Sequence, residues 1–164
     1  MFKLSNKGTE FVKNELSRYE SRRSAILPCL TLAQEENGGY INAEIISYLA
    51  HLMDIPESQI QEVFMFYTMY NKKPVGKFHV QVCCNISCAM NGGRELVQHL
   101  TKEFRVNDGE VTSDGNFSFS RVECLGACGG APMMQVNEEY HENLTPEKAV
   151  HVLKNMAKGN SHGS

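Results

Sequence analysis

No apolar run in this sequence approaches the roughly 20 residues needed to span a bilayer; the longest stretches, such as Ala25-Ile26-Leu27-Pro28-Cys29-Leu30, are far shorter. The chain is therefore expected to be soluble. Its N-terminus lacks the apolar core of a signal peptide, and Glu10, Glu15 and Glu20 argue against an acid-poor mitochondrial presequence, so a cytoplasmic location is expected. A net charge of -3 over 164 residues leaves no overall basic field, which excludes broad attraction to nucleic acid or anionic lipid. What positive excess exists is confined to residues 1–23, with six Lys/Arg against three Glu; the rest carries ten against sixteen acids. Neither G-x-G-x-x-G nor a P-loop occurs, so nothing suggests that this chain binds NAD or flavin by itself. Internal repeats and low-complexity tracts are also absent. What is present is 41% hydrophobic residues with 8 Phe and 6 Tyr, enough for a packed core in one domain or two small ones.

The periodicity divides the chain in two. Residues 1–73 read as a helical domain. Thr9 is a candidate N-cap for a segment with Val12, Leu16 and Tyr19 on successive turns. A second helix is predicted from Ser24 to Glu36, with Ile26, Leu27, Leu30 and Ala33 as its stripe, Pro28 in the first turn and Gly38-Gly39 as its stop. Asn42 caps a third through Met53, and Ile55-Pro56 opens a fourth bearing Ile60, Val63 and Phe64. After Pro74 and Gly76 the period becomes that of a half-buried strand, with Phe78, Val80 and Val82 alternating with polar neighbours. A helix over Arg94–Phe104, a hairpin turned by Asp114-Gly115 between Val111-Thr112 and Phe117–Val122, and a short strand over 133–136 follow. Thr145-Pro146-Glu147 starts a last helix to about Lys158. The expected architecture is α+β: a helical bundle, a mixed α/β domain over 74–158, and a disordered tail over 159–164.

Five of the six cysteines fall in two clusters, Cys83-Cys84-Asn85-Ile86-Ser87-Cys88 and Cys124-Leu125-Gly126-Ala127-Cys128, at strand-to-loop transitions. Six cysteines without a secretory signal favour metal or redox chemistry over a disulfide framework. Four thiolates can hold a 2Fe-2S cluster, two on each iron, and pairs such as Cys83-x4-Cys88 and Cys124-x3-Cys128 can each serve one iron. Gly92, Gly93, Gly126, Gly129 and Gly130 are expected to let the main chain approach sulfur without a Cβ clash. Buried cysteines as small hydrophobes are the plain alternative, but core packing has no use for two glycine-flanked pairs. Structural zinc usually takes C-x2-C loops with His ligands, and no His lies in either cluster. A thioredoxin dithiol, a Rieske site and a plant-type ferredoxin each require a spacing that is missing here.

Val82-Cys83, Asn85-Ile86-Ser87-Cys88, Glu123-Cys124-Leu125-Gly126-Ala127-Cys128 and Ala131-Pro132 resemble the small 2Fe-2S subunit of NADH:quinone oxidoreductase, respiratory complex I. The likeness extends through Ala25-Ile26-Leu27 with Leu30, Gly39-Tyr40-Ile41, Phe66-Tyr67 and Met69-Tyr70, covering nearly all of the chain. The C-x4-C, thirty-five residues, C-x3-C spacing is specific. The resemblance implies a helical N-terminal domain before a thioredoxin-like domain, with Cys83, Cys88, Cys124 and Cys128 as the cofactor and metal ligands. It also implies a partner flavoprotein subunit that binds FMN and NADH, within a larger respiratory complex peripheral to the inner face of a membrane. No catalytic residue and no catalysis by this chain alone are expected. The chain departs from the family at Cys84, where relatives often carry another residue. Equivalent subunits of NAD-linked hydrogenases or formate dehydrogenases share the same module; a free thioredoxin-like ferredoxin would have no use for the helical domain.

Leu49-Ala50-His51 through Ile55-Pro56 to Ile60 and Val63 mimics the spacing of a helix-turn-helix, but Glu57 and Glu62 flank Gln59 and Gln61 and the segment has no Lys or Arg to meet phosphates. Two packed helices are expected there. The run Phe64-Met65-Phe66-Tyr67-Thr68-Met69-Tyr70 is expected to serve core packing and the join between domains rather than subunit docking. Cys29 is expected as a buried small residue, and the Asn85-Ile86-Ser87 sequon carries no meaning without secretion.

Overall fold

The computed structural model describes residues 2–159 and divides into two compact units, Met1–Pro74 and Val75–Ser164. The first unit is helical. Helix α1 (Asn6–Arg18) begins a turn earlier than Thr9 would start it, because Ser5 is the cap: its Oγ accepts from the Gly8 N–H at 2.9 Å. Glu36 fixes that cap from the far side, taking the Ser5 N–H at 2.7 Å and its hydroxyl at 2.6 Å. A long-range partner thus decided between two hydroxyl residues that local sequence offered equally.

A 3-10 turn over Arg22–Ala25 leads into α2 (Ile26–Glu36), so the second helix starts two residues after Ser24, with Pro28 in its first turn. Asn37 ends it, and Gly38 and Gly39 follow at φ 72° and 92°. Asn42 caps α3 (Ala43–Met53), its Oδ1 accepting from the Ile45 N–H at 3.0 Å. Asp54 turns the chain in the left-handed conformation, and Pro56 stands as N-cap of α4 (Glu57–Phe66). Val12, Ile26, Cys29, Leu30, Ile45, Leu49, Met53 and Ile60 form the core. On the helix-turn-helix-like pair, Ile60 is buried while Glu57, Gln61 and Glu62 are exposed, and Glu62 accepts from Arg23 at 2.7 Å.

The aromatic run splits, contrary to the expectation that it packs as core. Phe64 and Tyr70 are buried, and the Tyr70 hydroxyl donates to the Leu27 carbonyl at 2.9 Å. Met65, Phe66, Tyr67 and Met69 are exposed, Phe66 by 77%. The reason is geometric: α4 ends at Phe66, and of its last turn only Val63 and Phe64 face inward before the chain bends.

The second unit is a four-stranded mixed sheet in the order β2-β1-β3-β4, built from β1 (Phe78–Cys83), β2 (Phe117–Val122), β3 (Met134–Val136) and β4 (Glu139–His141). The other elements are α5 (Ile86–Met90), α6 (Gly93–Phe104) and α7 (Pro146–Gly159). Strands β1 and β2 run parallel, with Phe78 opposite Phe117 and Cys83 opposite Val122; β3 joins antiparallel to both β1 and β4. One sheet face, with Phe78, Val80, Val82, Phe119, Met134 and Val136, packs on Leu96 and Leu100 of α6 and Ala149 and Leu153 of α7. Both helices sit there because each presents a small or branched apolar stripe at helical spacing.

The hairpin expected at Asp114-Gly115 forms with a short first arm. Gly115 takes φ 74°, the Thr112 N–H donates to the Phe117 carbonyl at 2.7 Å, and the Phe119 N–H donates to the Glu110 carbonyl at 3.2 Å. Val111 pairs with Ser118 in an antiparallel bridge on the edge of β2 away from β1. Helix α5 and strand β4 are too short for hydrophobic periodicity to foretell. Of the tail expected to be disordered, Gly159 closes α7, and residues 160–164 lie outside the described residues.

Candidate metal centre

The parallel ladder between β1 and β2 builds the site. Parallel strands end on the same side, so the segments that leave Cys83 and Val122 emerge together, and the Cys84 N–H donates to the Val122 carbonyl at 2.9 Å. Two clusters separated by thirty-five residues therefore share one end of the sheet. Cys83 is the last residue of β1 and faces away from the Val80 and Val82 stripe; it is buried with Cys88, Met133, Leu125, Ala127 and Ala131. Cys88 sits on α5, whose cap is Asn85, accepting from the Ile86 N–H at 2.7 Å. Cys124 lies in the irregular segment after β2, and Cys128 opens a 3-10 turn, Cys128–Gly130, that leads toward β3.

The four thiols differ in exposure. Cys83 and Cys88 are 4% and 2% exposed, whereas Cys124 and Cys128 are open to solvent. The Cys83 thiol donates to the Glu123 carbonyl at 3.6 Å; burial first, then the neighbouring Cys83 side chain, push the Cys88 thiol up to about 11, against the pull of the Met133 main chain. Cys128 lies close enough to add a further, smaller upward push. The Gly126 N–H donates to Cys124 Sγ at 3.4 Å. Main-chain donors thus reach sulfur in both loops, which is what an anionic thiolate centre requires of its surroundings.

Two contacts that sequence reasoning missed hold the loops. The Ser87 hydroxyl donates to the Cys128 carbonyl at 3.2 Å, tying α5 to the second loop. The Tyr140 hydroxyl donates to the Leu125 carbonyl at 2.6 Å. Nothing local marks either residue, since each partner is set by the tertiary fold. The glycines also act differently from one another. A Cβ on Gly93 would lie 2.8 Å from the Cys88 carbonyl oxygen and 2.9 Å from that of Cys83, so this glycine lets α6 start against both cysteine main chains. Gly92 and Gly126 take φ 93° and 79°, Gly130 makes room for Glu142, and Gly129 meets nothing within 4 Å.

Cys84 belongs to neither group. It is half-buried, its Sγ donates to the Val82 carbonyl at 3.6 Å, and burial raises its pKa while Arg121 opposes the rise. Alternation along β1 would put Cys84 on the stripe of Phe78, Val80 and Val82, but it lies beyond the end of that strand, among Arg121, Asp108 and Arg94, outside the core. Cys29 is fully buried in the helical unit.

The donor set fits a 2Fe-2S cluster. Among the described residues no three His, Cys, Asp or Glu converge as one metal ion would need; a two-iron cluster instead takes its thiolates in pairs. A family model of the thioredoxin-like 2Fe-2S ferredoxins matches residues 12–157. The chain belongs to this family. As a thioredoxin-like 2Fe-2S ferredoxin it is an iron–sulfur electron-transfer protein, with a helical unit preceding the thioredoxin-like one. It is 40% identical over 157 residues to an NADH-quinone oxidoreductase subunit of Rickettsia bellii (strain RML369-C), covering 94% of each chain. It is 41% identical over 135 residues to the corresponding NADH-quinone oxidoreductase subunit of Rhizobium meliloti (strain 1021), covering 82% of this chain and 80% of the relative. Its fold resembles part of an NAD+-reducing NiFe hydrogenase in the air-oxidized state, at a TM-score of 0.66 and 18% identity. That match covers 79% of this ferredoxin-family chain and 23% of the hydrogenase chain.

Proposed function

We propose that the chain is the small electron-transfer subunit of an NADH:quinone oxidoreductase and holds one 2Fe-2S cluster on Cys83, Cys88, Cys124 and Cys128. The observation that carries this reading is the meeting of the two cysteine loops at the shared end of β1 and β2, where main-chain N–H groups reach Cys88 and Cys124. The relatives at about 40% identity, named as subunits of that complex, support the assignment of the parent assembly. When bound, the cluster accepts and releases one electron at a time.

The chain's own residues do the rest. Cys83 and Cys88 would hold iron from the buried side, beside Met133, and Cys124 and Cys128 would hold it from the exposed side, which a partner can approach. That partner is an FMN- and NADH-binding flavoprotein subunit, which takes the hydride; this chain supplies no general acid or base. Among the described residues no helix is long and apolar enough to cross a membrane. Membership of a respiratory complex gives the chain a peripheral place on the cytoplasmic face.

The test is chemical. The purified chain should carry about two iron and two inorganic sulfides and give a spin-half EPR signal on reduction. Alone it should leave NADH unoxidised, and it should co-purify with the flavoprotein subunit. A colourless chain with one zinc and no sulfide would refute the cluster.

A further inference from the structure

Tyr140 stands on the edge strand β4, opposite Gln135 of β3, and is half exposed and outside the hydrophobic clusters. Packing therefore gives little reason for an aromatic ring there. Its hydroxyl donates to the Leu125 carbonyl at 2.6 Å. The nitrogen of that same peptide unit is Gly126 N, which donates to Cys124 Sγ at 3.4 Å. The C=O and N–H of one trans peptide lie in one plane and point in opposite directions. A hydroxyl that fixes the carbonyl consequently fixes the direction of the N–H.

The clamp matters because this peptide is easily turned. Leu125 and Gly126 lie outside helix and strand, and Gly126 is at φ 79° with nothing within 4 Å of where a Cβ would stand. A glycine so placed offers little steric resistance to rotation of the peptide before it. Rotation would take the N–H off the sulfur and bring the carbonyl oxygen toward it, replacing a favourable dipole with an unfavourable one beside an anionic centre.

We propose that Tyr140 is a positioning residue that sets the reduction potential of the centre by locking the Leu125–Gly126 peptide with its N–H on Cys124. The inference rests on the reading of Cys124 as a ligand. Hydrogen bonds to cluster sulfurs favour the more negative, reduced state, so losing this one lowers the potential.

Tyr140→Phe removes the hydroxyl and keeps the ring. In the full chain with its cluster, potentiometric titration followed by EPR should show a more negative midpoint than wild type. The affinity for the electron should be three- to tenfold weaker, about 30–60 mV. Pulsed EPR in heavy water should show weaker coupling to an exchangeable proton. A full complement of iron and sulfide with unchanged potential and coupling overturns the role of Tyr140 and leaves the cluster assignment standing. Absence of iron and sulfide from wild type overturns the cluster assignment itself. If Tyr140→Phe loads less cluster, the metal-free chain decides. There the Gly126 amide should exchange with solvent several-fold faster in the variant, and equal rates overturn the proposal.

Discussion

Cys83 and Cys84 are consecutive, yet Cys83 is buried against Cys88 and Met133 while Cys84 sits half-exposed among Arg121, Asp108 and Arg94. Alternation along β1 turns the first thiol to one side of the sheet and the second to the other. Cys84→Ala should therefore keep the iron and sulfide, whereas Cys83→Ala or Cys88→Ala should lose the cluster or leave it labile. Iron and sulfide analysis of the three variants checks this, and retention in Cys83→Ala with loss in Cys84→Ala would reverse the assignment.

The two glycine-rich segments are separable by mutation. Gly93 packs on the carbonyls of Cys83 and Cys88, so Gly93→Ala should cost about 1–3 kcal/mol and loosen the first loop. Gly129 has open space around it and an unexceptional φ, so Gly129→Ala should be nearly neutral. Denaturant titration of both, with iron content measured alongside, distinguishes a glycine needed for close approach from one that is not.

His79 gives the second unit an acid limit. Its Nδ1 lies 2.8 Å from Ser118 Oγ, and burial lowers its pKa below the ordinary 6.5. A histidine held neutral by folding contributes stability that is complete above pH 6.5 and declines as pH falls through its lowered folded value. His79→Gln should flatten the acid side of the stability–pH curve. An unchanged slope below pH 6.5 would show that His79 does not govern it.

Cys29 sets an alkaline limit in the helical unit. Burial first, then the nearby Glu15 carboxylate, push its thiol from 9.0 up to about 12. A raised pKa means that stability is complete below about 9 and is lost as pH climbs toward 12, on the order of a few kcal/mol at the upper end. Cys29→Ala should be less stable at pH 7, by about 1 kcal/mol for the lost sulfur, and should lose less between pH 9 and 12. In the folded wild type, Cys29 should be the slowest thiol to react with a disulfide reagent.

By itself the sequence determined what depends on neighbours in the chain. The strand alternation at Phe78, Val80 and Val82, the Asn42 cap, the buried place of Cys29 and the two cysteine spacings all follow from local geometry, because side-chain direction repeats with the helix or strand period. The tertiary structure decided what depends on partners. Ser5 rather than Thr9 caps α1 because Glu36, thirty-one residues away, holds it. Phe66 lies in solvent although its neighbours Phe64 and Tyr70 are core, because the helix ends there. Above all, the parallel register of β1 on β2 brings Cys83 and Cys124 to one end of the sheet, and the β3–β4 hairpin sets Tyr140 over the Leu125 carbonyl. A period in the sequence states which way a residue faces; only the register of distant strands states what it meets.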